Sequence, residues 1–282
     1  MSQAPPSEPW LERSRLDGQM LNSFVYGIFA ILSVQAAIAL HEGRKSARVK
    51  LDRWVARGLT LYIVVTFILG SIGYGANARY TEDIWINFRH GDWDPADLIT
   101  NEFAYWYNRL AIDSYENYIM VWIMDLLLLY RCAAIWSFNI FVMGSMGCAY
   151  LAIVGAPVHG RDAENHTIFF KSNFQLGFLA LSCAYNLLFT TLVTARLLIA
   201  RNQITLLLGA GHAKPYASLT ATLVESASLY FVFDLLFVIT FALHSKIQNL
   251  ILLENCFIQA IAQLLIILRV AKGKQLNSTI MS

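Results

Sequence analysis

Three acids sit in stretches of sequence built for hydrocarbon. Asp125 lies in IMDLLLLY, and Glu225 and Asp234 lie in LVESASLYFVFDLLFVITFAL, which runs from Leu223 to Leu243. A charged side chain at mid-bilayer costs several kcal/mol, so such residues face a bundle interior or a wet cavity. A carboxyl group kept dry holds its proton and can act as a general acid, for example toward an alkene or epoxide. It can equally anchor a ligand or serve a proton path. Glu225 and Asp234 are nine residues apart. On one helix that is about half a turn of net rotation and about 13 Å of rise. They therefore point to opposite sides at different depths and are not a catalytic pair with each other. Protein contact on two sides predicts a central place in a bundle for this segment.

Other polar residues recur at helical spacing. Ser226, Tyr230 and Asp234 share one face, and Thr222 and Glu225 another. Asn255, Gln259 and Gln263 recur at every fourth position, as do Asn186, Thr190 and Thr194, and Asp113, Glu116 and Asn117 cluster in a third segment. Stripes of this kind either bond helix to helix or line an interior pocket. The candidate ligand-contacting set is Asp234, Tyr230, Gln259, Asn255, Asn186 and Glu116. If the chemistry is acid catalysis, Asp234 is the general acid, with Glu225 or Asp125 as the second candidate. Glu225 and Asp125 are otherwise expected to pair with Arg131 or with nearby hydroxyls. Gly70, Gly73, Gly75, Gly144 and Gly147 would allow close helix contacts.

These stripes need long apolar elements to carry them, and the composition supplies them. Of 282 residues, 57% are hydrophobic and 14% charged, against about 25% charged in soluble domains. The expected fold class is an all-α integral membrane protein, a seven-transmembrane helix bundle. A span takes about 20 mostly apolar residues, and seven such stretches are legible at 20–40, 59–78, 112–131, 138–156, 175–198, 219–243 and 250–270. Residues 1–19 form an N-terminal tail and 271–282 a C-terminal tail. Thirteen of the 21 basic residues fall on one side of these spans, six of them in the 40–58 loop. The positive-inside rule makes that side cytoplasmic, with the N-terminus outside and the C-terminus inside. Asn165, in an Asn-His-Thr acceptor triplet, then lies outside as a candidate glycosylation site. The plasma membrane is the expected location, with the endoplasmic reticulum as the alternative. The polar start, MSQAPPSEPWLERSRLDG, lacks the apolar core of a cleavable signal peptide.

Several classes lose support. The six histidines lie in loops or at span ends with no metal-ligand spacing, so no metal and no cofactor is expected. No lysine lies in the seventh span to form a retinal Schiff base. Prolines are absent from span interiors, unlike the broken helices of many transporters. Nucleic acid is not an expected partner. The 79–110 loop is rich in aromatic residues, as an interfacial belt or a lid would be. Its Asp92-Trp93-Asp94-Pro95-Ala96-Asp97 run departs from a calcium loop at the sixth and twelfth positions.

Four motifs together resemble a group of seven-span membrane proteins of mushroom-forming fungi. They are Asp125 through Tyr130-Arg131-Cys132 with Trp136 following, Lys214-Pro215-Tyr216 with Ser218, Val224-Glu225-Ser226-Ala227 with Leu229-Tyr230, and Leu265 through Arg269-Val270-Ala271 with Gly273. The resemblance covers about 20–275 and implies a receptor-like seven-helix topology; it supplies no catalytic residues. The expected function is binding of a small, mostly apolar ligand in an outward-facing, polar-striped pocket, with the lipid bilayer and a cytoplasmic signalling protein as partners. The alternatives are a membrane-embedded terpene cyclase and a transporter or proton conduit.

Overall fold

A computed structural model describes residues 9–45, 53–87, 111–159, 172–208, 230–240 and 254–280, with isolated positions between 221 and 251. The described residues are helical and contain no strand. The helices are α1 (Pro9–Lys45), α2 (Arg53–Glu82), α3 (Ala111–Ile135), α4 (Ile140–His159), α5 (Ser172–Leu208), α6 (Tyr230–Thr240) and α7 (Asn255–Ile280). A π-helical turn, Asp83–Asn87, continues α2. The tail expected over 1–19 is helical from Pro9, and the tail expected over 271–282 is helical to Ile280.

Among the described residues three segments are long and apolar enough to cross a membrane: Arg13–Gly43, Trp54–Ile86 and Ala180–Gln203. Their apolar character is not explained by a protein core. Only 28% of the most apolar window of each of the first two is buried, and 22% of the third. Phe24, Ile31, Val34 and Ile38 on α1, and Leu61 and Ile68 on α2, are exposed. Apolar residues all round a helix suit a lipid surround. Shorter apolar helices occupy Ile140–Gly155, Tyr230–Thr240 and Asn255–Ala271.

The core forms around α7, which packs against α1, α2 and α3. From Phe257 to Leu264 every residue of α7 is buried. Its Phe257 joins an aromatic cluster with Tyr26, Phe29, Phe67 and Tyr74, in which Tyr26 and Tyr74 stack at 4.4 Å. Gly70 lets α2 approach this cluster: a Cβ there would lie 3.0 Å from Phe257 and 3.2 Å from Phe29. The close contact expected of the glycines holds at Gly70, while Gly75, Gly144 and Gly147 have open space around them.

A second core joins α3, α4 and α5 through Leu128, Met146, Ile153, Tyr185 and Phe189, and takes in Phe237 of α6. α6 itself is not central. It buries Tyr230, Asp234 and Phe237 on one face and exposes Val232, Leu235, Leu236 and Ile239 on the other. The central place expected for this segment belongs to α7 instead. A helix with one buried acid face needs protein on that side only. The turn from α3 to α4 places Ser137 and Phe138 at φ of 51° and 57°, the left-handed region that L-residues seldom occupy. Asn139 Oδ1 then caps α4 by accepting from the Phe141 N–H at 3.0 Å.

Candidate functional site

The Asn255–Gln259–Gln263 stripe lies on three successive turns of α7 and bonds to three other helices. Asn255 Nδ2 donates to Asp234 Oδ1 on α6 at 3.3 Å. Gln259 Nε2 donates to Asp125 Oδ1 on α3 at 2.9 Å. Gln263 Nε2 donates to the Met124 carbonyl at 3.1 Å, and its Oε1 accepts from the Tyr62 hydroxyl of α2 at 2.6 Å. α5 completes the set. Tyr185 donates to the Asp125 carbonyl at 3.1 Å, while Ser182 lies beside Tyr230 and Cys183 beside Asp234. Burial is nearly total: Asp125 is 0% exposed and Asp234 1%. In such surroundings a polar group needs a partner, and each amide of α7 supplies one.

Beside this network lies a cavity of about 150 Å³, bounded by α3, α5, α7 and the residues Val224, Ser228, Tyr230 and Phe231. Its wall is largely apolar, with Leu128, Phe189, Val193, Phe231, Ala262 and Ile266 contributing. The polar groups along it are Asn186, Thr190, Thr194, Ser228, Tyr230, Gln259 and Gln263. Asn186 and Thr190 hold the helix register by bonding back to the carbonyls of Ser182 and Asn186. Leu187 and Val224 are wall residues that are also 49% and 42% exposed to the surroundings of the bundle. The cavity therefore opens sideways, beside Leu187 and Val224.

The structure thus brings Tyr230, Gln259 and Asn186 to one cavity. It places Asp234 and Asn255 one turn further along, bonded to each other and outside the cavity wall. The cavity extends from Asn186 to Thr194 on α5 and from Gln259 to Ile266 on α7. That is the arginine-rich half of the bundle, whereas the sequence expectation placed the pocket in the opposite half. Asp234 spends one oxygen on Asn255, and Tyr230 and Phe233 pack with Ile258 and Ala262 below it. Glu225 meets a different cation from the one expected. Its side chain is 79% exposed and lies 3.9 Å from Arg269, not Arg131. Asp125 likewise takes the Gln259 amide in place of Arg131 or a hydroxyl. The side chains of Asp113, Glu116 and Asn117, and residue Asn165, lie outside the described residues, as does the 92–97 run. Among the described residues no cluster of three or more His, Cys, Asp or Glu could hold a metal.

Tyr62, Cys183 and Tyr185 carry no stripe signal in the sequence, whereas Ser182 lies four residues before Asn186 and extends the Asn186–Thr190–Thr194 stripe by one turn. A further buried polar group straddles the expected tail, which holds Arg15 and Gln19, and the first expected span, which holds Asn22. Arg15, Gln19 and Asn22 recur at helical spacing and are 0%, 8% and 0% exposed. Arg15 donates to Asn77 Oδ1 at 3.3 Å and stacks 5.5 Å from the Tyr80 ring. No family model, curated protein or solved structure matches the chain.

Proposed function

We propose that this chain is a receptor-like, seven-helix membrane protein that binds a small, mostly apolar molecule. α3, α4, α6 and α7 would complete the spans begun by the three membrane-length helices, with the N-terminus outside and the C-terminus cytoplasmic. The observation that carries the reading is the apolar cavity with its opening turned sideways. A 150 Å³ cavity with apolar walls is of the size known to take up benzene. A few convergent polar groups along an apolar wall are what orient a small ligand, and Asn186, Tyr230, Gln259 and Gln263 supply them. A molecule dissolved in the bilayer reaches such an opening without crossing water. The resemblance to the fungal seven-span group bears only on the receptor-like seven-helix topology of this reading. The arginine-rich loops would meet anionic lipid or a cytoplasmic signalling protein, in the plasma membrane or the endoplasmic reticulum.

Thr190→Trp should fill the cavity from its edge. The test purifies wild type and variant in nanodiscs and compares co-purifying small molecules by native mass spectrometry, with melting temperatures measured alongside. The reading expects an apolar species bound to wild type and depleted from a variant of unchanged melting temperature. The same species in both would refute it.

A terpene cyclase is the second reading, favoured by one observation: Asp125 Oδ2 is buried and has no hydrogen-bond partner among the described residues. Wild type, Asp125→Asn and Asp234→Asn would be expressed at matched levels in a yeast host fed isoprenoid precursors. A product made by wild type and lost in either variant would displace the receptor reading. Asn165→Gln tests the orientation, since loss of an endoglycosidase-sensitive gel shift requires Asn165 to lie outside.

A further inference from the structure

One turn of α3 beyond the cavity wall lies a cation with an unmet donor. Leu128 lines the wall, and Arg131 follows it by one turn of α3. Gln263, another wall residue, is held by Tyr62, and Tyr62 lies close enough to Arg131 for the two to interact electrostatically. Arg131 Nη1 is buried and has no hydrogen-bond partner among the described residues. Thr194, on the facing wall, has a buried hydroxyl oxygen in the same condition. A buried guanidinium donor left unpaired is a costly arrangement, and an anion is the partner that suits it best.

We infer that the ligand is an anionic single-chain amphiphile, with part of its alkyl chain in the cavity and its carboxylate or phosphate head on Arg131. This rests on the cavity being a binding site for apolar molecules, as proposed above. The geometry fits a ligand that arrives from the leaflet on the arginine-rich side. Arg131 lies one turn before the end of α3 at Ile135, near interfacial depth. A lipid-like molecule could keep its head at that depth while its chain slides between Leu187 and Val224. A cavity of about 150 Å³ is benzene-sized and takes about six carbons of one chain; the rest of that chain, and any second chain, would lie in the bilayer. The second cation nearby, Arg269, follows the wall residue Ile266 by one turn but already faces Glu225 at 3.9 Å and is half exposed. It serves as the control.

The experiment measures binding of dodecanoate, dodecyl phosphate and uncharged dodecanol to the full chain in neutral-lipid nanodiscs, with inorganic phosphate as a chain-free probe. Wild type should bind one or both anions at least about tenfold more tightly than dodecanol, the size of effect expected for a hydrogen bond to a charged group. Arg131→Gln should abolish that preference while leaving dodecanol binding unchanged, and Arg269→Gln should retain it. If dodecanoate and dodecanol bind equally, or if Arg131→Gln keeps the anion preference, the headgroup assignment is wrong. Tight binding of phosphate alone would also overturn it, by making the cation a free-anion site. Thr190→Trp separates this failure from failure of the cavity itself. Loss of dodecanol binding in that variant means the cavity reading stands even where the headgroup reading falls. Should Arg131→Gln not fold, Arg131→Lys keeps the charge and is expected to keep the preference.

Discussion

The Gln259–Asp125 bond gives the sharpest test of how α7 is fixed against α3. In Gln259→Leu the 2.9 Å hydrogen bond is removed from two residues that are 2% and 0% exposed. Two effects compete in size. Interhelical hydrogen bonds in membranes average about 0.6 kcal/mol. A buried acceptor left without any donor costs about 1–3 kcal/mol. Asp125 Oδ2 already lacks a partner among the described residues, so losing the donor at Oδ1 leaves its carboxyl with none of those donors. The second term should therefore win, and the variant should lose about 2 kcal/mol. Asp125→Val should cost a similar amount by orphaning the Gln259 amide. Tyr185 would not respond, because it bonds the backbone carbonyl of residue 125. The double variant, Asp125→Val with Gln259→Leu, removes both polar groups and should fall at least about 1 kcal/mol short of the sum of the two. The assay is equilibrium unfolding in mixed micelles at rising SDS fraction, followed by helix loss. If Gln259→Leu costs no more than about 0.6 kcal/mol and the double variant is additive, the carboxyl is satisfied in another way and α7 is not held through it.

Three further outcomes follow from the same geometry. Gly70→Val should destabilise by about 1–3 kcal/mol in the same unfolding assay, because its side chain would meet the buried rings of Phe29 and Phe257 at 3.0–3.2 Å. Ser137→Gly should raise stability by a few tenths to about 1 kcal/mol, since its φ of 51° strains any residue with a Cβ; no gain would mean that the turn is relaxed. Asp234→Asn keeps an acceptor for the Asn255 amide and should express at wild-type levels, whereas Asp234→Leu should lose about 1–3 kcal/mol, and equal loss in both would point to a need for the charge itself.

The sequence by itself determined the helical class and the apolar character of the elements. Long apolar runs with few charges favour helices, which satisfy their own backbone groups, and among the described residues three helices are long and apolar enough to cross a membrane. It also determined which residues share a face, because spacing on a helix is fixed by 3.6 residues per turn. Asn255, Gln259 and Gln263 form one stripe for that reason, and so do Asn186, Thr190 and Thr194. What spacing does not contain is the partner across the gap. That Gln259 meets Asp125, that Asn255 meets Asp234, and that Glu225 turns outward to Arg269 depend on which helix occupies the centre. Each apolar helix has an apolar surface on most sides, so the pattern of one helix does not say which neighbour it buries. Only the packing of α7 among α1, α2 and α3 decided that, and with it which polar residues line a cavity and which are bonded to one another.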